Sequence, residues 1–356
     1  MDNPPNPYLS EQRDWLEPPP AAQVEVYEEN ARSILSENDS PDIPFRWSVN
    51  PYRGCQHACA YCYARPTHEY LGLGAGSDFD TKLIAKVNAP ALLRAAFSKR
   101  GWAHERVCFS GVTDCYQPIE AAYRLTRGCL EVCLEFGNRA SIITKSRLVM
   151  RDIDILSQLQ HAGGASVYQS IPFADDQTAR LIEPQAPPPS KRLEAMRALA
   201  DAGIPVGVMV APIIPGLNDS QIPDILRRAA EAGATSAGFT ALHLPGNVAS
   251  VFLSRIREVV PDKAAKIESR IREMRHGELN DSRFGRRMTG EGEYWQNIKS
   301  VFHLWARRYG LSGTGHKATP GKPRRRSRPE PRPQPPSMPA PQPPQHPQMR
   351  FGFADA

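Results

Sequence analysis

The sequence contains no run of about eighteen uninterrupted apolar residues, the length a membrane-spanning helix needs. Its first residues, Met1-Asp-Asn-Pro-Pro-Asn-Pro7, lack the basic flank and apolar segment of a secretory leader. A cytoplasmic protein with no membrane contact is therefore expected. Seven cysteines, three of them clustered, do not make a disulfide framework and suit a reducing compartment. The globular part also lacks net charge. Residues 314–356 hold eight basic and two acidic side chains, which accounts for the whole net charge of +6. A strongly basic body is thereby excluded, and any general attraction to nucleic acid is placed in the tail.

What is present begins with a lead-in. Residues 1–22 are proline-dense and read as a disordered extension, and residues 23–45 as a segment lying against the domain. From Phe45 onward, short apolar stretches alternate with helical patterns. The strands are expected at 45–50, 105–110, 140–144, 166–171, 204–210 and 236–241. The helices between them lie at 89–100, 121–136, 148–162, 190–202 and 219–232, with Ser190 and Asp219 as N-caps and glycines 137, 163, 203 and 233 closing four of them. This alternation implies βαβ units and a parallel sheet. Six strands over residues 46–248 are too few for a closed eight-stranded barrel. A partial (β/α)6 TIM-like barrel and an open doubly wound sheet both fit. Further helices at 251–260, 263–276 and 294–309 make residues 249–312 a C-terminal helical extension. Residues 313–356 are rich in proline and arginine and read as a disordered tail.

The densest chemistry lies in Cys55-Gln-His-Ala-Cys59-Ala-Tyr-Cys62. Three thiolates at C-x3-C-x2-C spacing are ligands for iron–sulfur clusters or zinc. A structural zinc site would need a fourth ligand, His57 or His68. A four-iron cluster with three protein ligands keeps one iron open to a small chelating molecule.

The motif, with Tyr61 before its last cysteine, resembles the signature of the radical S-adenosylmethionine (SAM) superfamily. The flank Asn50-Pro-Tyr-Arg-Gly-Cys55 is similar to the spore photoproduct lyase-like group within it. The resemblance implies the partial barrel. It makes Cys55, Cys59 and Cys62 the ligands of a [4Fe–4S] cluster and SAM the ligand of the open iron. Reductive cleavage of SAM to a 5′-deoxyadenosyl radical then abstracts hydrogen from an unknown substrate. A one-electron reductant such as flavodoxin or ferredoxin is implied as a partner.

Function in parallel α/β folds gathers at the C-terminal ends of the strands. Ser110-Gly-Val-Thr-Asp114 stands where the family meets the SAM amino group, so Ser110, Gly111, Thr113 and Asp114 are cofactor-binding candidates. Lys145, Ser170 and Arg192 follow as partners for the SAM carboxylate or ribose. Ala211 to Asp219 resembles the adenine-side segment, and His243 is placed to face substrate. Cys115 is the candidate thiol hydrogen donor and hence the candidate catalytic residue. Cys129 and Cys133 sit four apart on an apolar helix face and read as core. Gly111 occupies the place where photoproduct lyases carry their donor cysteine. Arg286 and Arg287, with Phe284, are candidates for holding an anionic substrate. The alternatives are a DNA photoproduct lyase-type repair enzyme and, from another class, a non-catalytic metal-binding module tethered to nucleic acid by the basic tail.

Overall fold

The computed structural model describes residues 2–10 and 23–313. Of the tail expected to be disordered, residues 313–356, Gly313 is instead in a strand, and residues 314–356, like residues 11–22, lie outside the described residues. All six expected strands form: β1 (Trp47–Val49), β2 (Val107–Phe109), β3 (Ala140–Thr144), β4 (Ala165–Ser170), β5 (Val206–Ile213) and β6 (Ser236–Ala241). They pair in parallel and in sequence order. That order is singly wound, and it removes the doubly wound alternative, whose strand order reverses at a switch point. One edge of the sheet is an antiparallel strand, Leu35–Glu37, and the other is Ser312–Gly313. No pairing joins those edges among the described residues, so the sheet is open.

Most strands present one to three residues to the helices, and the longest, β5, presents four: Val206, Val208, Val210 and Ile213. Val49, Val107, Phe109, Ile142, Val167, Val206 and Val208 all enter one core with α1 (Ala89–Phe97), α2 (Leu125–Glu135), α3 (Ile153–Ala162), α4 (Pro189–Asp201) and α5 (Ile222–Glu231). Full burial of such a side chain contributes about 1.5–3 kcal/mol. Strand period two turns the intervening residues to the opposite face. There Ser48, Cys108, Ser141 and Ser166 share one register row. Gly207 is also on that face. A Cβ on it would stand 2.5 Å from Ser236 Oγ and 2.6 Å from the Tyr168 ring, so the Tyr168 side chain fills the space that the glycine leaves.

α6 (Val248–Val259), α7 (Pro261–Glu273) and α8 (Gly292–Arg308) follow the sheet, and α8 packs on α5. Among the described residues no helix is long and apolar enough to cross a membrane. Several sequence expectations are corrected. Residues 2–10 are not a free extension: the Asn6 amide donates to the Glu69 and Leu73 carbonyls at 3.2 and 2.9 Å, and Asn3 Oδ1 accepts from Gly76 N–H. The lead-in contributes Glu25–Glu29, which pairs with Lys82–Lys86 in a small second sheet completed by Tyr52–Arg53. Ser190 lies inside α4 rather than at its cap, with its hydroxyl on Asp176. Asp219 accepts from Gly216 N–H and from the Tyr294 hydroxyl in a 3-10 turn before α5. Gly163 caps α3 as expected, and the positive φ falls on the next residue, Gly164.

Candidate functional site

β1 delivers the chain to the cysteine loop. Gly54 makes the turn with φ of 74°, and a Cβ there would lie 2.9 Å from the Phe79 carbonyl oxygen, which accepts the Cys55 N–H at 2.9 Å. Arg65 then pins the loop from within. Its Nε and Nη2 donate to the Cys59 carbonyl at 3.1 and 3.0 Å, and Nη2 also meets Asp80 Oδ1 at 2.9 Å. A reciprocal glutamine pair ties the loop to the segment after β2. Gln117 accepts Gln56 N–H at 3.0 Å and donates to the Gly54 carbonyl, while Gln56 Oε1 accepts Ile119 N–H.

Cys55, Cys59 and Cys62 all line one cavity of about 260 Å³ at the C-terminal ends of the strands. Ser110, Gly111, Thr113 and Asp114 line it from the segment after β2, Lys145 from just past β3, and Ser170 from β4. Ala211 and Pro212 close it from β5 and His243 from beyond β6. Burial pushes the Cys59 thiol up to about 12 and raises Cys55 and Cys62 as well. His57 Nδ1 lies 3.3 Å from Asp114 Oδ2, and His68 Nε2 meets the Lys82 carbonyl at 2.8 Å. Each histidine proposed as a fourth zinc ligand thus has one ring nitrogen on another group; His57 lines the cavity with the cysteines, and His68 does not. Among the described residues no three His, Cys, Asp or Glu side chains converge on a single-ion site.

The polar residues divide into saturated and unpartnered groups. Asp114 accepts from Thr144 Oγ1, Tyr116 N–H and Lys145 N–H at 2.7, 2.9 and 2.7 Å. Burial works against its charge, but His57 and these donors outweigh it and hold the carboxyl well below the usual range. Lys145 Nζ lies 3.9 Å from Glu183 Oε1 and 5.6 Å from the Tyr61 ring centre. Burial disfavours its ammonium, yet the Cys59 sulfur and Glu183 carboxylate raise its pKa above the ordinary value. Thr113 Oγ1, His57 Nε2 and His243 Nδ1 are buried without a partner. Burial lowers His243 to about 4, so its imidazole is neutral at pH 7.

Three sequence expectations fail here. Cys115 does not line the cavity: it is fully buried in the helical core, with its sulfur 3.8 Å from the Phe109 carbonyl. Cys129 and Cys133 share that core, as their helical spacing indicated, and Cys108 is buried in β2. Arg192 does not reach the cavity either. Its three nitrogens go to the Pro187 carbonyl, the Ser170 carbonyl and Glu183, and Glu183 also takes the Tyr61 hydroxyl. The arginines of the 283–287 loop are each matched to an acid: Arg283 to Asp281, Arg286 to Glu291 and Arg287 to Asp42. Sequence reasoning missed Asp42, which lines the cavity and clasps that loop through Gly285 N–H and Arg287 Nε at 2.6 and 2.7 Å. It also missed Arg65 and the glutamine pair; neither has a periodic or spacing signal.

Residues 49–229 match the family model described as the radical SAM superfamily. An uncharacterized protein of Mycobacterium tuberculosis (strain H37Rv) is 38% identical over 234 residues, covering 65% of this chain and 68% of its own. An uncharacterized protein of Methanocaldococcus jannaschii is 31% identical over 200 residues, covering 56% and 71%. Among solved structures, a spore photoproduct lyase variant with bound AdoMet and dinucleoside spore photoproduct matches with a TM-score of 0.56 at 18% identity, over 81% of each chain. At that identity the likeness is one of fold. The chain belongs to the radical SAM superfamily, whose members use a [4Fe–4S] cluster and S-adenosylmethionine.

Proposed function

We propose that this chain is a radical SAM enzyme that abstracts hydrogen from its substrate, with its six parallel strands acting as the partial (β/α)6 barrel. The observation that carries this reading is the convergence of Cys55, Cys59 and Cys62 on the cavity that Thr113, Asp114, Lys145 and Ser170 also line. The residues fit the two cofactors. Three thiols on the cavity wall, Cys55 and Cys59 buried and Cys62 half-buried, offer a soft donor set for iron, and no fourth cysteine lines the cavity among the described residues, which leaves room for a chelating ligand. Thr113 Oγ1 supplies a buried acceptor that has no protein partner. When bound, the cluster and SAM supply a 5′-deoxyadenosyl radical by one-electron reductive cleavage. The protein's task is to bind, orient and exclude water. Lys145, the cation of the cavity wall, is suited to the SAM carboxylate. Ser170, whose hydroxyl donates to the Ala211 carbonyl at 3.1 Å, sits beside the adenine-side segment.

The lyase form of the chemistry has less support. Its usual thiol donor is replaced by Gly111, and Cys108, Cys115, Cys129 and Cys133 all lie off the cavity wall. Nucleic-acid attraction rests on the charge of residues 314–356, because the loop arginines at the mouth are already paired. The test is anaerobic reconstitution with iron and sulfide, then dithionite and SAM, with detection of 5′-deoxyadenosine. Product from the parent and none from Cys55→Ala, Cys59→Ala or Cys62→Ala supports the reading. An intact four-iron cluster that neither binds nor cleaves SAM would end it.

A further inference from the structure

We propose that the end of the sheet opposite the cysteine cavity holds a binding site for a small phosphorylated molecule, built on Arg46, Arg106 and Arg139. The inference goes beyond the radical SAM reading and does not rest on it. Ser48, Cys108 and Ser141 pair across β1, β2 and β3 in one register row. Two residues earlier in each segment, and so on the same face of the sheet, stand Arg46, Arg106 and Arg139. Gly164 takes the next place in that row, before β4, so no side chain covers Arg139 from there. The three arginines line one cavity of about 710 Å³, with Glu105, Gly137 and Gly163 among the other walls. That cavity lies at the N-terminal ends of the strands; Cys55, Cys59 and Cys62 are at the C-terminal ends.

Neighbouring strands are about 4.8 Å apart. Guanidiniums side by side across them repel, and like charges opposite each other destabilise a sheet. The acids at hand do not cancel this row, because Arg46 takes both of them. Its Nε and Nη2 donate to Glu37 at 2.9 and 2.7 Å, and its Nη1 to Glu105 at 2.9 Å. Arg139 is exposed, and its side chain makes no hydrogen bond or ion pair among the described residues. Helices α2 and α3 also end here, just before Gly137 and at Gly163. A helix end favours a nearby cation by about 0.3–1 kcal/mol, but it does not occupy the five donors of a guanidinium. A phosphoryl group does. It carries a charge of about −1.5 to −2 at pH 7, and its oxygens accept from several arginine forks at once. The volume falls within the roughly 300–1,000 Å³ of small-molecule pockets, which leaves room for an organic body behind the phosphate.

The experiment uses the full chain, reconstituted with iron and sulfide. Inorganic pyrophosphate is the probe, titrated calorimetrically at constant ionic strength. Parent, Arg139→Gln, Arg106→Gln and Arg307→Gln are compared; the last removes an exposed arginine of α8 that does not line the cavity. The expected loss of affinity is roughly 10- to 100-fold in Arg139→Gln and Arg106→Gln, the effect of one charged hydrogen-bonding partner. Arg307→Gln should bind as the parent does. Thermal unfolding gives a second readout. Without pyrophosphate, Arg139→Gln should melt at or above the parent's midpoint, because repulsion in the row is relieved. Pyrophosphate should raise the parent's midpoint more than that of Arg139→Gln. Equal affinity in all four proteins would assign the binding to the basic residues of 314–356 and overturn the proposal. So would a parent that takes up no pyrophosphate at millimolar concentration, or an Arg139→Gln midpoint below the parent's without the anion, which marks a purely structural arginine. Iron and sulfide content, measured separately, bears only on the radical SAM reading.

Discussion

Replacing Arg65 by methionine should strip the cysteine loop of its internal brace. Arg65 is fully buried, and beyond its bonds to Cys59 it donates through Nη1 to the Ala75 and Gly76 carbonyls at 2.9 and 2.8 Å. Methionine keeps the apolar stem against Phe79, over which the guanidinium sits at 5.2 Å. It leaves three carbonyls and the Asp80 carboxylate without this donor. Burial already pushes Asp80 up to about 6 even with Arg65 opposing it. Breaking a buried pair from one side costs about 3–5 kcal/mol, a large part of the roughly 5–15 kcal/mol that holds a domain folded. Urea unfolding followed by circular dichroism reads the loss, and iron and sulfide content reads the loop. Arg65→Lys keeps the charge without the planar fork and should fall between parent and methionine variant. The double variant Arg65→Met/Asp80→Leu should regain part of the stability, because no unpaired carboxylate remains. A loss below about 1 kcal/mol with full cluster loading in Arg65→Met would refute the reasoning, since it falls under the range for a broken buried pair.

Gly207→Ala should cost about 1–3 kcal/mol through overpacking against Tyr168 and Ser236, and a compensating Tyr168→Leu should recover much of it in the same unfolding assay. His243 ordinarily titrates near 6.5 but is lowered to about 4 in the fold. The unfolded chain therefore takes up this proton first, so the parent should lose stability as pH falls from 6.5 towards 4, and His243→Gln should lose less over that window. Unfolding at pH 7 and pH 4.5 compares the two. Deleting residues 314–356 removes the whole net charge of +6. Salt-dependent binding to duplex DNA in a filter or anisotropy assay should disappear with it, while SAM binding stays unchanged.

The sheet was legible because four of its six strands are short apolar runs that follow a helix-ending glycine. β3, Ala140–Thr144, falls on its expected residues, and β6 does the same. The small second sheet was not legible. Its strand Glu25–Glu29 is acidic and half-exposed, and its partner lies 57 positions away at Lys82–Lys86. The strand-end rule located Ser110, Thr113, Asp114, Lys145 and Ser170 on one cavity. It gives a position along the chain but no direction. Cys115, next to Asp114, turns into the helical core, and Arg192, in the first turn of a helix, goes inward to Glu183 rather than towards cofactor. Asp42 and Arg287 are 245 residues apart, and only the folded chain brings them together.

That last contact decides how the mouth of the site is walled. The open side of the sheet has no ladder of backbone hydrogen bonds across it among the described residues. One span is made instead by Asp42, with Gly285 N–H, Arg287 Nε and, alongside, Ser40 Oγ on the Arg287 guanidinium. A ladder can be parted only by unzipping a strand. A clasp of one carboxylate and one guanidinium depends on no strand register, so losing it would cost these hydrogen bonds and leave the pairing of the sheet behind it unchanged.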